Sequence, residues 1–120
     1  MDVQDCIIPA RKQYRIYFDE NELKDMVSDF VEEDLKSFEL KLNGEKGYSP
    51  YIDYIKADGK EGWIPNNTII LAIAKYLVDH YEWTKDVLLF DDMIFAELDF
   101  IAWMGSDNIK RCQVIVDKKL

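Results

Sequence analysis

The sequence predicts an α+β fold: an antiparallel sheet of about five to seven short strands packed with two main helices, over residues 20–37 and 67–81. Three observations predict it. Several segments alternate apolar and polar residues with a period of two, as half-buried strands do. Two dipeptides that favour tight turns, Asn43-Gly44 and Asp58-Gly59, sit between such segments. Two longer segments place apolar residues three and four apart, the spacing of one helix face.

Residues 1–13 mix charges and apolar residues without a period and contain Pro9, so they are read as an extended arm. Tyr14, Ile16 and Phe18 then alternate with Arg15 and Tyr17, which gives a short strand. Asp19 and Glu22 form a capping-box pattern, in which two side chains satisfy amides that the first helical turn leaves unpaired. Leu23, Met26, Val27, Phe30, Val31, Leu35 and Phe38 follow as one apolar stripe, and on that stripe the helix is extended to residue 37.

Phe38, Leu40 and Leu42 alternate with Glu39 and Lys41, and Asn43-Gly44 would turn the chain into a return strand over Glu45–Ser49. Tyr51–Lys56 and Glu61–Ile64 read as a second hairpin around Asp58-Gly59. Asn66 or Asn67 can cap the next helix through a side-chain oxygen. That helix is apolar nearly all round, with Lys75 and Asp79 as its narrow polar edge, so it should be largely buried.

Val87–Phe90 is a strand candidate. Residues 93–104 fit either a strand or a helix capped by Asp91 or Asp92 and ended by Gly105; the strand is favoured. Residues 105–108 suit a hairpin loop, and Ile109–Val116 a return strand with Cys112, Val114 and Val116 on one face. Lys110, Arg111, Lys118 and Lys119 would then protect a sheet edge.

One domain is expected of 120 residues. The 48% hydrophobic and 13% aromatic content excludes intrinsic disorder. Twenty-four acids against 15 bases give a net charge of −9, which disfavours nucleic acid as a direct ligand. Cys6 and Cys112 are too few for a secreted disulfide framework. The start of the chain does not resemble a signal peptide, and the longest uncharged apolar run, Thr68–Ala74, is far shorter than the roughly 20 residues of a membrane span. A cytoplasmic protein with free thiols and no membrane partner is expected; the oligomeric state is left open.

Enzyme motifs are missing. The five glycines form no phosphate-binding loop, and there is no GxSxG elbow. His80, the lone histidine, lies at a helix end where capping or packing is the expected role. One histidine and two separated cysteines do not make an ordinary zinc site, and no calcium-loop pattern occurs, so no metal and no cofactor are expected. Asp91 and Asp92, with Glu97 and Asp99, are the residues that a small carboxylate- or divalent-metal-dependent enzyme would use.

The charge distribution is more informative. Residues 1–40 carry a net charge of −6, residues 41–80 are neutral, and residues 81–120 carry −3. Asp25, Asp29, Glu32 and Glu33 lie opposite the apolar stripe of the first helix, with Lys36 as one compensating partner. Such a ridge matches a row of lysines or arginines on another protein, and it could also imitate nucleic-acid phosphates. The bland alternative is a solvated face that keeps the domain dissolved. Tyr51, Tyr54 and Trp63 join the ridge as candidate partner-binding residues, because aromatic side chains with polar tips are common interface anchors.

The expected function is therefore a small acidic inhibitor that binds a basic protein. Its concrete form is an immunity (antitoxin) protein occluding the cationic cleft of a nuclease-type toxin, in the general character of bacterial immunity proteins. A phage-type inhibitor of a nucleic-acid-binding defence complex would use the same electrostatics. A carboxylate- or metal-dependent enzyme and a structural adaptor are the remaining alternatives.

Overall fold

A computed structural model describes residues 1–8, 11–42, 50–85, 89–90, 93–94 and 98–119. The chain order is β1 (Asp2–Ile8), β2 (Arg11–Asp19), α1 (Glu20–Val31), β3 (Leu35–Lys41), β4 (Tyr51–Lys56), β5 (Glu61–Ile64), α2 (Asn66–His80), β6 (Leu89–Phe90), β7 (Met93–Ile94), β8 (Leu98–Met104) and β9 (Lys110–Lys119). The fold is α+β with antiparallel strands, as the sequence predicts. The strands divide between a four-stranded sheet of order β1-β2-β9-β8 and a three-stranded sheet of order β3-β4-β5, with β6 and β7 as a separate short pair.

Residues 2–8 and 11–13 are extended, but they belong to paired strands and not to an arm. β1 pairs along its length with β2, from Asp2 opposite Tyr17 to Ile8 opposite Arg11. Strand β9 also corrects an expectation: it lies between β2 and β8, so its basic residues do not guard an edge. The Asn43-Gly44 turn, the return strand over residues 45–49, and residues 86–88, 91–92 and 95–97 before β8 lie outside the described residues.

Helix α1 starts as its capping box predicts. The Glu22 amide donates to Asp19 Oδ1 at 2.9 Å, and the Asp19 amide donates to Glu22 Oε1 at 3.4 Å. It ends six residues before the expected boundary. Glu32 adopts left-handed φ 57° and ψ 33°; its amide donates to the Asp29 carbonyl and that of Glu33 to the Ser28 carbonyl, the paired bonds of a Schellman turn. Leu35 and Phe38 therefore belong to β3, where an irregularity between Leu35 and Ser37 shifts the register. Helix α2 has no side-chain cap at its start. Pro65 occupies the cap position, and the Asn66 side-chain Nδ2 instead donates to the Pro50 carbonyl at 3.3 Å. At its other end the buried Thr84 hydroxyl sits 2.8 Å from the Leu77 carbonyl and 2.6 Å from that of Tyr81.

The core lies where both helices meet both sheets. Ile16, Phe18, Phe100, Cys112, Val114 and Val116 come from the larger sheet, and Leu40, Ile52 and Ile64 from the smaller. Leu23, Met26 and Val27 of α1, and Ile69, Ile73 and Leu77 of α2, fill the space between them. Each such side chain contributes about 1.5–3 kcal/mol relative to exposure. Tyr54 packs on the same side, over Gly62, where a Cβ would strike its ring. Gly59, with φ 86°, supplies the left-handed residue of the β4–β5 turn, and Asp58 accepts the Lys60 amide there.

The β8–β9 turn is held by Asp107. Its carboxylate receives both guanidinium nitrogens of Arg111, at 2.8 and 2.6 Å, and the Ile109 amide at 3.2 Å. The Arg111 guanidinium, followed by that amide, lowers the Asp107 pKa to about 2. A carboxylate with a depressed folded pKa stabilises the fold above its ordinary pKa of 3.8, and that support is lost as pH falls through about 2. Urea titrations should thus show Asp107→Asn less stable than the parent at pH 6, with the gap closing by pH 2.

Candidate functional site

The helix carrying the acidic ridge is tied down at its start and rests on α2. Glu22, Asp25 and Asp29 stand three and four residues apart, so they share one line along α1. Asp25 and Asp29 are exposed. All three acids bear on Tyr76 of α2: its hydroxyl pKa is raised by burial first, then by Tyr81, Asp29, Asp25 and Glu22. His80 stacks on Tyr76 with ring centroids 4.1 Å apart, and its Nε2 lies 3.3 Å from Asp29 Oδ2. Glu22 Oε2 is 2.9 Å from the Met1 ammonium, whose pKa that hydrogen bond raises. Among the described residues, no cation lies within salt-bridge distance of Asp25.

The early end of α1 splits the expected ridge. Glu32 is the left-handed residue closing the helix, and Glu33 beyond it lies 3.6 Å from Lys56 of β4. Glu32 and Glu33 are exposed, but they do not continue the line of Asp25 and Asp29. The line instead continues backwards to Glu22, whose capping role conceals its place in it. His80 takes the packing role expected of it, at the C-terminal end of α2 where imidazole suits the carbonyl ends.

The three aromatic candidates go to different places. Tyr51 is buried at 5% exposure, and its ring meets that of Trp63 edge-on at 6.4 Å. Tyr54 is half-buried against the core. Trp63 is 64% exposed and stands across from Asp53, on the face of the small sheet opposite Leu40, Ile52 and Ile64. The helices cover that core face, so Trp63 and the acidic line face different directions.

A cleft of about 400 Å³ opens beside the start of α1, lined by Met1, Asp2, Tyr17, Asp19, Trp103 and Arg111 among others. Three of its polar groups are engaged elsewhere: Asp19 caps α1, Tyr17 accepts from Gln113 at 2.9 Å, and Arg111 is held by Asp107. The Cys112 thiol on its wall is free, and burial, then Glu20 and Asp19, pushes its pKa up to about 12. Of the acidic quartet considered for metal chemistry, Asp91, Asp92 and Glu97 lie outside the described residues, and Asp99 is exposed on β8. The described residues hold no group of three or more potential metal ligands, and no helix among them is long and apolar enough to cross a membrane.

No protein-family model, curated protein or solved structure matches the chain.

Sequence reasoning missed two features of the surface. Tyr76 and His80 border the acidic line only because α2 packs beside α1, a contact without local signal. Ile101 and Trp103 emerge on the outer face of the larger sheet, 52% and 37% exposed, because they alternate with the buried Phe100 along β8. The alternation over residues 93–104 contains that information once the strand reading is taken.

Proposed function

We propose that this protein is a small acidic binding protein that inhibits a basic partner by laying the Glu22–Asp25–Asp29 line of α1 against a cationic cleft. The observation that carries this reading is Asp25 and Asp29 exposed one turn apart, with the half-exposed His80 imidazole as the one basic group within ion-pair distance of them among the described residues. Two like charges four apart cost a helix a few tenths of a kcal/mol. A cationic surface brought against them reverses the sign of that term. The net charge of −9 adds long-range attraction toward such a partner, which raises association rates and makes them fall with salt.

The specific form is an immunity (antitoxin) protein for a nuclease-type toxin, because a cleft that binds phosphates is rich in lysine and arginine. The same surface would serve a phage-type inhibitor of a nucleic-acid-binding defence complex. Trp63 is the exposed aromatic candidate, on a different face; it would take part where the partner reaches around the small sheet.

The test begins with affinity capture from the native host at low and high salt, then kinetics with the captured partner. Asp25→Lys together with Asp29→Lys should slow association about tenfold or more at low salt and flatten its salt dependence. Glu33→Lys, off the line, should change it little. Unaltered association by the double variant would refute the proposal.

A further inference from the structure

Among the described residues the two sheets have four open edges, and three are protected in ways that discourage strand addition. β5 is only four residues long. β3 has the N–H and C=O of Leu40 occupied by Glu20 and Lys110. β1 carries the exposed charges Asp2 and Asp5. Short length, occupied backbone groups and charge are recognised defences of an edge.

β8 is the least protected of the four. Its sequence from Leu98 to Met104 is seven residues long, with no lysine, arginine or proline, and Asp99 is its one charge. Among the described residues, its strand partner is β9 alone. Ile101, Trp103 and Met104 are 52%, 37% and 48% exposed. A long, largely apolar edge with no second strand among the described residues is a template for another strand.

We infer that β8 is the seam of a homodimer, in which β8 of a second copy pairs antiparallel with it about Ile101 and the two four-stranded sheets become one sheet of eight. The strand's own sequence favours a second copy. Centred on Ile101, antiparallel pairing puts Ile101 opposite its counterpart, Asp99 opposite the copy's Trp103, and Phe100 opposite the copy's Ala102. Each aspartate then joins a row running through Trp103 to Arg111 on β9, and the two Asp99 carboxylates do not face each other. On the buried side a large residue meets a small one. A basic strand would find a single counter-charge on β8, whereas a copy places an apolar residue opposite every β8 position except Trp103, which meets Asp99.

The salt response separates this contact from the partner binding proposed above. Two copies each of charge −9 repel at long range, so screening should strengthen a dimer held by backbone bonds and apolar contacts. Binding to a cationic partner should weaken under the same change.

Sedimentation equilibrium over a concentration series, at low and high salt, tests the inference. The expected result is a reversible dimer that tightens with salt. Ile101→Lys should leave a folded monomer by circular dichroism, because that side chain is exposed on the outer face. Ile7→Lys, on the opposite edge strand, should dimerise like the parent. A parent that stays monomeric into the high-micromolar range, a dimer that survives Ile101→Lys, or one lost instead in Ile7→Lys would each overturn it, as would a dimer that dissociates with salt.

Discussion

Lys110→Met is expected to destabilise the fold by about 2–3 kcal/mol, although it removes a surface-type residue from near a turn. The reason is where the ammonium sits. Lys110 is the first residue of β9, its side chain is only 16% exposed, and Nζ donates to the Leu40 carbonyl at 2.6 Å. Glu20, the first residue of α1, accepts the Leu40 amide at 2.9 Å and lies 3.7 Å from Lys110. Glu39 Oε1 stands 3.8 Å away on the other side. One peptide position on the open edge of β3 is thereby satisfied by the start of the helix and by the larger sheet together. These bonds join the two sheets directly.

Removing the ammonium leaves the Leu40 carbonyl without its donor and Glu20 without its counter-charge in a partly buried place, which is the costly way to break such a pair. Glu20→Gln retains an oxygen for the Leu40 amide but loses the charge, so a smaller loss of about 1 kcal/mol is expected. Because both changes act on one network, the double variant should be less destabilised than the two single losses added together, by at least about 0.5 kcal/mol. Urea denaturation of the four proteins measures this directly. Strict additivity would mean that Lys110 and Glu20 act separately, and a Lys110→Met variant as stable as the parent would remove the junction from the account of this fold.

The features legible in the sequence share a local cause. The capping box of α1, the Asp58-Gly59 turn and the alternation of Cys112, Val114 and Val116 each draw on residues within a few positions of each other, and each is present as read. The end of α1 was hidden because Glu32 fills a left-handed position usually given to glycine, while Leu35 and Phe38 happen to continue the helical spacing. β1 was hidden because its order comes from pairing with β2 and not from any pattern of its own. Strand order is a non-local property. Nothing near Lys110 announces that β9 runs through the middle of a sheet or that its first side chain reaches the edge of another. The candidate surface follows the same rule. Asp25 and Asp29 could be placed from helical spacing, whereas the departure of Glu33 toward Lys56 and the burial of Tyr51 depend on distant chain segments.

Burial of a single thiol should make the protein sensitive to alkali. Cys112 has no exposed surface, and burial, with Glu20 and Asp19 adding to it, raises its pKa from 9.0 to about 12. The folded chain therefore holds this proton to a higher pH than the unfolded chain does. Its contribution is fully present below pH 9 and is lost progressively as pH rises toward 12, by up to about 4 kcal/mol at 1.36 kcal/mol per unit. Cys112→Ala costs packing at every pH but lacks this slope, so the stability gap between parent and variant should narrow as pH rises from 8 to 11. In a Cys6→Ser background the native thiol should react with iodoacetamide at pH 8 about a thousandfold more slowly than in urea, since reaction requires the thiolate and access to it. Parallel stability curves for parent and Cys112→Ala, or alkylation of the native protein at the unfolded rate, would show that the wall of the cleft opens far more readily than its packing implies.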